Sequence, residues 1–266
     1  MNERAYTLSL LQMNIQIGEP DVNYKKLDDL MQQAMKQEPR PDVIMFPELW
    51  NTGYALEHVR DIADRDGERT IATLSAFARQ HRVNIVAGSI ADLQADHMYN
   101  QIYVFNRSGE VISTYSKIHL FRLMDEEKYL TSGQRLGAMH IDEFPSAMMI
   151  CYDIRFPELS RKLALGGAKI LYVPAQWPHP RLHHWRTLLM ARAIENQMYV
   201  IACNRVGESK GASFFGHSLV INPWGEILAE GSEEEEILQA TIDLDLVDRV
   251  RSSIPVFEDR KPHLYE

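Results

Sequence analysis

Short apolar runs alternate with amphipathic stretches from one end of this chain to the other. The runs read as buried strands at 6–13, 42–46, 83–89, 146–150, 169–174 and 198–203. The stretches read as helices at about 22–37, 68–81, 157–165 and 181–196. In the last of these, Leu182, Trp185, Leu188, Leu189 and Ala193 recur at helical spacing. Pro157 and Glu158 suit the first turn of the helix they open. One hairpin is predicted at 101–106 and 111–116, around the turn Asn106-Arg107-Ser108-Gly109, and a second turns at Asn222-Pro223-Trp224-Gly225. Residues 243–252 read as a short helix, and the segment NRVGESKGASFFG as a glycine- and serine-rich loop. Alternating strands and helices interrupted by hairpins predict an α/β fold with mixed sheets and helices outside them.

Three of the apolar runs end in chemistry. Ala147-Met148-Met149-Ile150 leads into Cys151, Val43-Ile44-Met45-Phe46 into Glu48, and the alternating run through Val111, Ser113 and Tyr115 into Lys117. Ligand sites of open α/β sheets lie beyond the carboxyl ends of strands, so these three side chains are expected to converge. A helix start after Cys151 would favour the thiolate, which is the reactive form of cysteine. Cys203 also follows an apolar run but has no helix start behind it, and reads as a small buried hydrophobe.

These motifs, Glu in FPELW, Lys in SKIHLF and Cys in CYDIRFPE in that order, resemble the signature of the nitrilase superfamily of carbon–nitrogen hydrolases. The resemblance extends through SLLQMNIQIGEPDVNYKKL, IVAGSI, RAIENQMYVIACN, GHSLVINPWGEILAEG and IPVFEDRKPHLYE. It implies a four-layer α-β-β-α sandwich of two mixed sheets, in one carbon–nitrogen hydrolase domain over 1–266. Nitrile-cleaving members carry Trp after the cysteine; Tyr152 stands there here, which resembles the amidase branch, and most closely the ω-amidases acting on 2-oxo acid amides such as 2-oxoglutaramate. The resemblance also implies a homodimer or higher homo-oligomer, with the tail 253–266 crossing to a partner subunit.

The residues themselves support amide hydrolysis. Cys151 is suited to attack a carboxamide carbonyl and split the barrier through a thioester. Glu48 is suited to accept the thiol proton and return it to departing ammonia. Lys117 and the backbone N–H of Tyr152 are suited to the oxyanion. A second carboxylate, implied by the resemblance, falls at Glu126 or Glu127, with spacing to Leu130 and Gly133 favouring Glu126. Arg155 offers a bidentate clamp for a substrate carboxylate, against a competing reading as a structural ion pair. Carbamoyl-amino-acid hydrolases of the superfamily carry an arginine at the matching place in that role. Tyr54 matches a tyrosine lining the ω-amidase pocket, and Trp177 is expected as the opposite wall; core packing competes for both.

Composition narrows the rest. The chain has 266 residues, 45% of them hydrophobic and 24% charged, which fits a globular protein with a sizeable core. Its formal net charge of −9 lacks any basic stripe, which argues against nucleic acid or an anionic membrane. No apolar run reaches transmembrane length and no secretory signal is evident, so the expected location is cytoplasmic, as the presence of only two cysteines also suggests. His179, His183 and His184 lack zinc-site spacing, and no metal or other cofactor is expected. A Cys–His–Asn protease using His217 would leave Glu48 and Lys117 without a role. The run Glu233-Glu234-Glu235-Glu236 reads as a solvated turn. Three functions follow from this reading: an ω-amidase, an N-carbamoyl-amino-acid or other small-amide hydrolase, and a non-catalytic interaction protein on a hydrolase scaffold.

Overall fold

The strands sort their side chains by alternation, and that sorting builds the layers. The structure is a computed structural model that describes residues 5–209 and 211–265. In the first sheet Leu8, Leu10, Val43, Met45, Val86, Ile102 and Val104 face one way, into a core shared with the second sheet. The intervening Leu11, Ile44, Ile85, Tyr103 and Phe105 face the other way, where Leu27 and Met31 of helix Pro20–Ala34 and Leu74 and Phe77 of helix Glu68–His81 cover them. On the far side, Leu159 and Leu163 of helix Pro157–Leu165 and Trp185 and Leu189 of helix Leu182–Asn196 pack on the second sheet. The result is the four-layer α-β-β-α sandwich.

Both sheets are mixed. The first runs Glu236–Asp243, Ala5–Gln12, Val43–Met45, Asn84–Val86, His97–Phe105, Ile90–Gln94, Asp64–Arg65, with Val111–Ser116 paired beside His97–Phe105. The second runs Ile227–Glu230, Leu219–Ile221, Tyr199–Asn204, Ile170–Ala175, Phe144–Met148, Gly137–Ile141. The central strands of each are parallel, and hairpins add the antiparallel flanks. The parallel strands therefore end together, on one edge.

Several elements differ from the sequence reading. The strand before Cys151 ends at Met148 rather than Ile150, because Cys151–Arg155 forms a separate tight turn. Helix Pro157–Leu165 starts only beyond that turn, so its amino-terminus is not at the thiol. The strand expected at 83–89 stops at Val86. Its continuation turns at Gly88, with φ +53, where a Cβ would lie 2.1 Å from the carbonyl oxygen of Pro47. Glycine there lets the chain press against the loop carrying Glu48. The expected loop after Cys203 is instead a hairpin, Val206–Ser209 with Ala212–Phe215, whose brevity and glycines hide its alternation. The acidic run is more than a solvated turn: Glu235 accepts from Lys26 Nζ and from the Asn14 N–H. In the tail, Ile254, Leu264 and Tyr265 are exposed, and Glu266 lies outside the described residues. Among the described residues no helix is long and apolar enough to cross a membrane.

Candidate active site

Three loops bring the expected residues together at the strand ends. Beyond Val43–Met45, the chain turns through Pro47 and Glu48 into Leu49, whose φ is +42. Beyond Val111–Ser116, Lys117 continues the ladder, its N–H donating to Asn100 O at 2.9 Å. Beyond Phe144–Met148 stands Cys151, with φ +44. Positive φ is strained for residues with a Cβ, and such strain is held only where surrounding contacts over-determine it.

Glu48, Lys117 and Glu126 are fully buried as one cluster. Lys117 Nζ donates to Glu48 Oε1 at 2.8 Å and to Glu126 Oε1 at 2.7 Å. The Tyr54 hydroxyl lies 2.6 Å from Glu126 Oε1 and 3.1 Å from Glu48 Oε1. Asn100 Nδ2 donates to Glu48 Oε1 at 2.8 Å, and the Gln176 N–H to Glu48 Oε2 at 2.9 Å. The Phe121 N–H donates to Glu126 Oε2 at 2.9 Å. Glu127, the other sequence candidate, is exposed.

Two carboxylates thus share one ammonium. Burial opposes charge on Lys117, but Glu126 and Glu48 outweigh it and hold the amine charged well beyond its ordinary range. Burial pushes the Glu126 carboxyl up, Lys117 draws it down, and the adjacent Glu48 raises it again, leaving it above the usual carboxylate range. The Cys151 thiol is also pushed up, first by burial and then by Glu48; Lys117 acts the other way and does not win. This corrects the expectation of a helix-activated thiolate. Burial and Glu48 thus favour the neutral thiol. Cys203 is buried in the core, its sulfur 3.6 Å from Leu11 O, and matches its reading as a packing residue.

The Cys151 turn is braced by a residue the sequence did not flag. Asp153, fully buried, accepts from Ile150 N–H at 3.0 Å and from the Tyr115 hydroxyl at 2.7 Å. Its other oxygen accepts from His119 N–H at 3.0 Å and meets His119 Nδ1 at 2.7 Å. Tyr115 and His119 lie two residues either side of Lys117, so one carboxylate registers the Cys151 turn against the lysine. Arg192 Nε adds a bond to Ile154 O at 2.9 Å.

A small pocket opens over Cys151, lined among others by Phe121, Tyr152, Arg155, Trp177 and Arg181. Arg155 lies over the Trp177 ring at 4.7 Å and 3.5 Å from His184 Nδ1, with no carboxylate partner among the described residues. Arg181 lies 5.9 Å from the Phe121 ring. Burial and the charge of Arg181 both disfavour the cationic form of Arg155. The structural ion pair weighed for Arg155 is therefore not found. Trp177 is buried, and its Nε1 donates to Arg181 O at 3.1 Å, so it forms a fixed wall. Tyr54 does not line this pocket; it stands behind, on the carboxylates. Arg186 is engaged by Glu230, as is His217 at 2.8 Å. Among the described residues no group of three or more His, Cys, Asp or Glu is placed to hold a metal ion.

A sequence profile described as carbon-nitrogen hydrolase matches residues 7–252. The chain is 46% identical to a 2-oxoglutaramate amidase of Bacillus subtilis over 98% of its own length and 99% of that protein. It is 30% identical to an omega-amidase of Homo sapiens, over 98% of this chain and 97% of the other. Among solved structures, a carbon-nitrogen hydrolase from Helicobacter pylori superposes with a TM-score of 0.93 at 28% identity, covering 100% of this chain and 98% of that one.

Proposed function

The chain belongs to the carbon-nitrogen hydrolase family, and from that premise we propose that it hydrolyses the ω-amide of a small 2-oxo acid, 2-oxoglutaramate foremost, to a carboxylate and ammonia. The observation that carries the substrate class is the pair of guanidinium groups, Arg155 and Arg181, without carboxylate partners among the described residues, at the pocket over Cys151. Two like charges at a partly apolar pocket repel, and a substrate carboxylate would relieve that repulsion while gaining charge-assisted hydrogen bonds.

The proposed reaction starts from the neutral thiol. Glu48 takes the Cys151 proton as Sγ bonds the carbonyl carbon, and the C=O electron pair moves onto oxygen. Lys117 Nζ and the Tyr152 N–H stabilise that oxyanion. On collapse the C–N bond breaks, Glu48 returns the proton to nitrogen, and ammonia leaves. Water then attacks the thioester, giving its proton to Glu48; the carboxylate product departs and Cys151 recovers its proton. Glu126, steadied by Tyr54, keeps Lys117 charged and aimed throughout.

We extend the proposal to assembly and location. The exposed Leu165 and Ile194, on helices beside the site, and the apolar tail residues Ile254 and Leu264 support a homodimer. The chain would act as one hydrolase domain in the cytoplasm on a small-molecule amide. A monomeric mass at micromolar concentration would refute the dimer.

The test is a substrate panel with the purified protein. Release of ammonia and a 2-oxo dicarboxylate from 2-oxoglutaramate, faster than from neutral aliphatic amides, is expected. Faster release of ammonia and carbon dioxide from N-carbamoyl amino acids would move the assignment to a carbamoyl hydrolase. No turnover of any amide would favour the non-catalytic scaffold.

A further inference from the structure

Arg205 is fully buried, yet every acceptor it meets is neutral. Its Nε donates to Val206 O at 3.0 Å, and its Nη2 to Ile15 O at 2.8 Å and Asn14 Oδ1 at 3.3 Å. The guanidinium lies over the Phe214 ring at 4.5 Å. No carboxylate answers it among the described residues, and burial pulls its pKa down to about 10. A buried cation without a counter-ion is expensive to keep. Its remaining bond shows what it holds: Nη1 donates to Gln176 Oε1 at 3.1 Å.

Gln176 is the residue that grips Glu48 on two levels. Its N–H donates to Glu48 Oε2 at 2.9 Å, and its side-chain Nε2 to Glu48 O at 2.7 Å. The placement follows from register. Strands Ile170–Ala175 and Tyr199–Asn204 run parallel with Ala175 opposite Asn204, so Gln176 and Arg205 are the next residues on adjacent strand ends. A glutamine amide has two orientations, but a guanidinium is donor-only, so Oε1 must face Arg205. Nε2 is then forced toward the Glu48 carbonyl, next to the strained Leu49.

We propose that Arg205 is a positioning residue for the base: by fixing the Gln176 amide it locks the backbone and carboxylate of Glu48 beneath Cys151. This rests on the reading of Glu48 as the base. Were Arg205 neutral, Gln176 could flip and set its carbonyl against Glu48 O, releasing the turn. A misplacement of about 1 Å at a reacting group lowers rates by about a hundredfold.

The experiment uses the full chain with 2-oxoglutaramate or whichever amide the panel finds. Arg205→Met, Arg205→Lys and Gln176→Glu are compared with the parent and with Glu48→Gln, each normalised to its Cys151 titre. Arg205→Met should lower kcat by about ten- to a hundredfold, with KM changing much less. Arg205→Lys should recover part of the loss. Should Arg205→Met not fold, Gln176→Glu decides: it keeps a partner for Arg205 but sets an acceptor against Glu48 O in place of the donor, so its folded fraction should lose kcat with KM changing much less. Parental kcat in a folded Arg205→Met, or a loss confined to KM, would overturn the proposal. Parental activity in Glu48→Gln would instead overturn Glu48 as the base, which separates the two failures.

Discussion

Asp153 receives both the backbone N–H and the ring Nδ1 of His119, at 3.0 and 2.7 Å, and so couples the Cys151 turn to the segment that carries Lys117. Cys151 and Lys117 follow strands of different sheets, and this is a direct polar tie between their loops. Asp153→Asn keeps the shape but removes two acceptor sites, leaving a buried donor such as the Ile150 N–H unpaired. That should destabilise the protein by about 1–3 kcal/mol. It should also lower kcat by about tenfold or more through misplacement of Cys151. Thermal melts and kinetics on the folded fraction check both; a normal kcat would mean the other bonds of the turn place Cys151 without the Asp153 carboxylate.

Cys151→Ala should abolish amide hydrolysis with the fold intact. The alanine is smaller, and φ +44 is no harder for it than for cysteine. Mass spectrometry of the parent quenched during turnover should find an acyl group on Cys151 and none on Cys203. Activity within tenfold of the parent in the folded variant would remove the thioester mechanism.

Much of the site was legible because strands end where apolar runs end. Glu48, Lys117 and Cys151 each follow such a run, and the sheets bring those ends to one edge. The activation of Cys151 was not legible. CYDIRF reads as a helix entry, but the chain makes a separate turn there, and burial raises the thiol. Asp153, Asn100, Gln176 and Arg205 were missed for a common reason. In sequence each is one polar residue within or just beyond a strand, and lone polar residues usually face solvent. Only the meeting of two sheets buries them and points their hydrogen bonds at Glu48 and the Cys151 turn.

Glu48→Gln and Lys117→Ala should each lower kcat by at least about a hundredfold. They should differ in stability. Lys117→Ala strips the ammonium from two buried carboxylates, a loss of about 3–5 kcal/mol. Glu48→Gln leaves a one-to-one Lys117–Glu126 pair and should melt near the parent. Equal losses of stability would contradict the shared-ammonium arrangement.

The raised carboxyl of Glu126 gives a pH prediction with a definite sign. A carboxyl raised by folding favours its protonated form, so its contribution to stability is present at low pH and lost as pH rises through the folded pKa. Glu126→Gln mimics the protonated state. At neutral pH it should melt at or above the parent while kcat falls, because Lys117 loses one anchor. On acidification the two melting temperatures should converge. A variant that melts well below the parent at neutral pH would show that the ionised Glu126 stabilises the fold.

Arg155 should select for a carboxylate on the substrate. Among the described residues it has no carboxylate of its own, its guanidinium is seated on Trp177 at 4.7 Å, and it lines the pocket over Cys151. A charge-assisted pair to a substrate carboxylate contributes about 1.5–3 kcal/mol, or about ten- to a hundredfold in kcat/KM. Arg155→Lys keeps the charge but loses the planar fork and its stacking on the indole, so it is not a conservative change here. Turnover of 2-oxoglutaramate should therefore drop by about that factor, whereas a neutral amide of similar size should lose much less. The comparison is kcat/KM for both substrates in both proteins. Equal losses would make Arg155 a brace for the Cys151 turn, and would leave the carboxylate to Arg181, the other guanidinium at the pocket without an acidic partner.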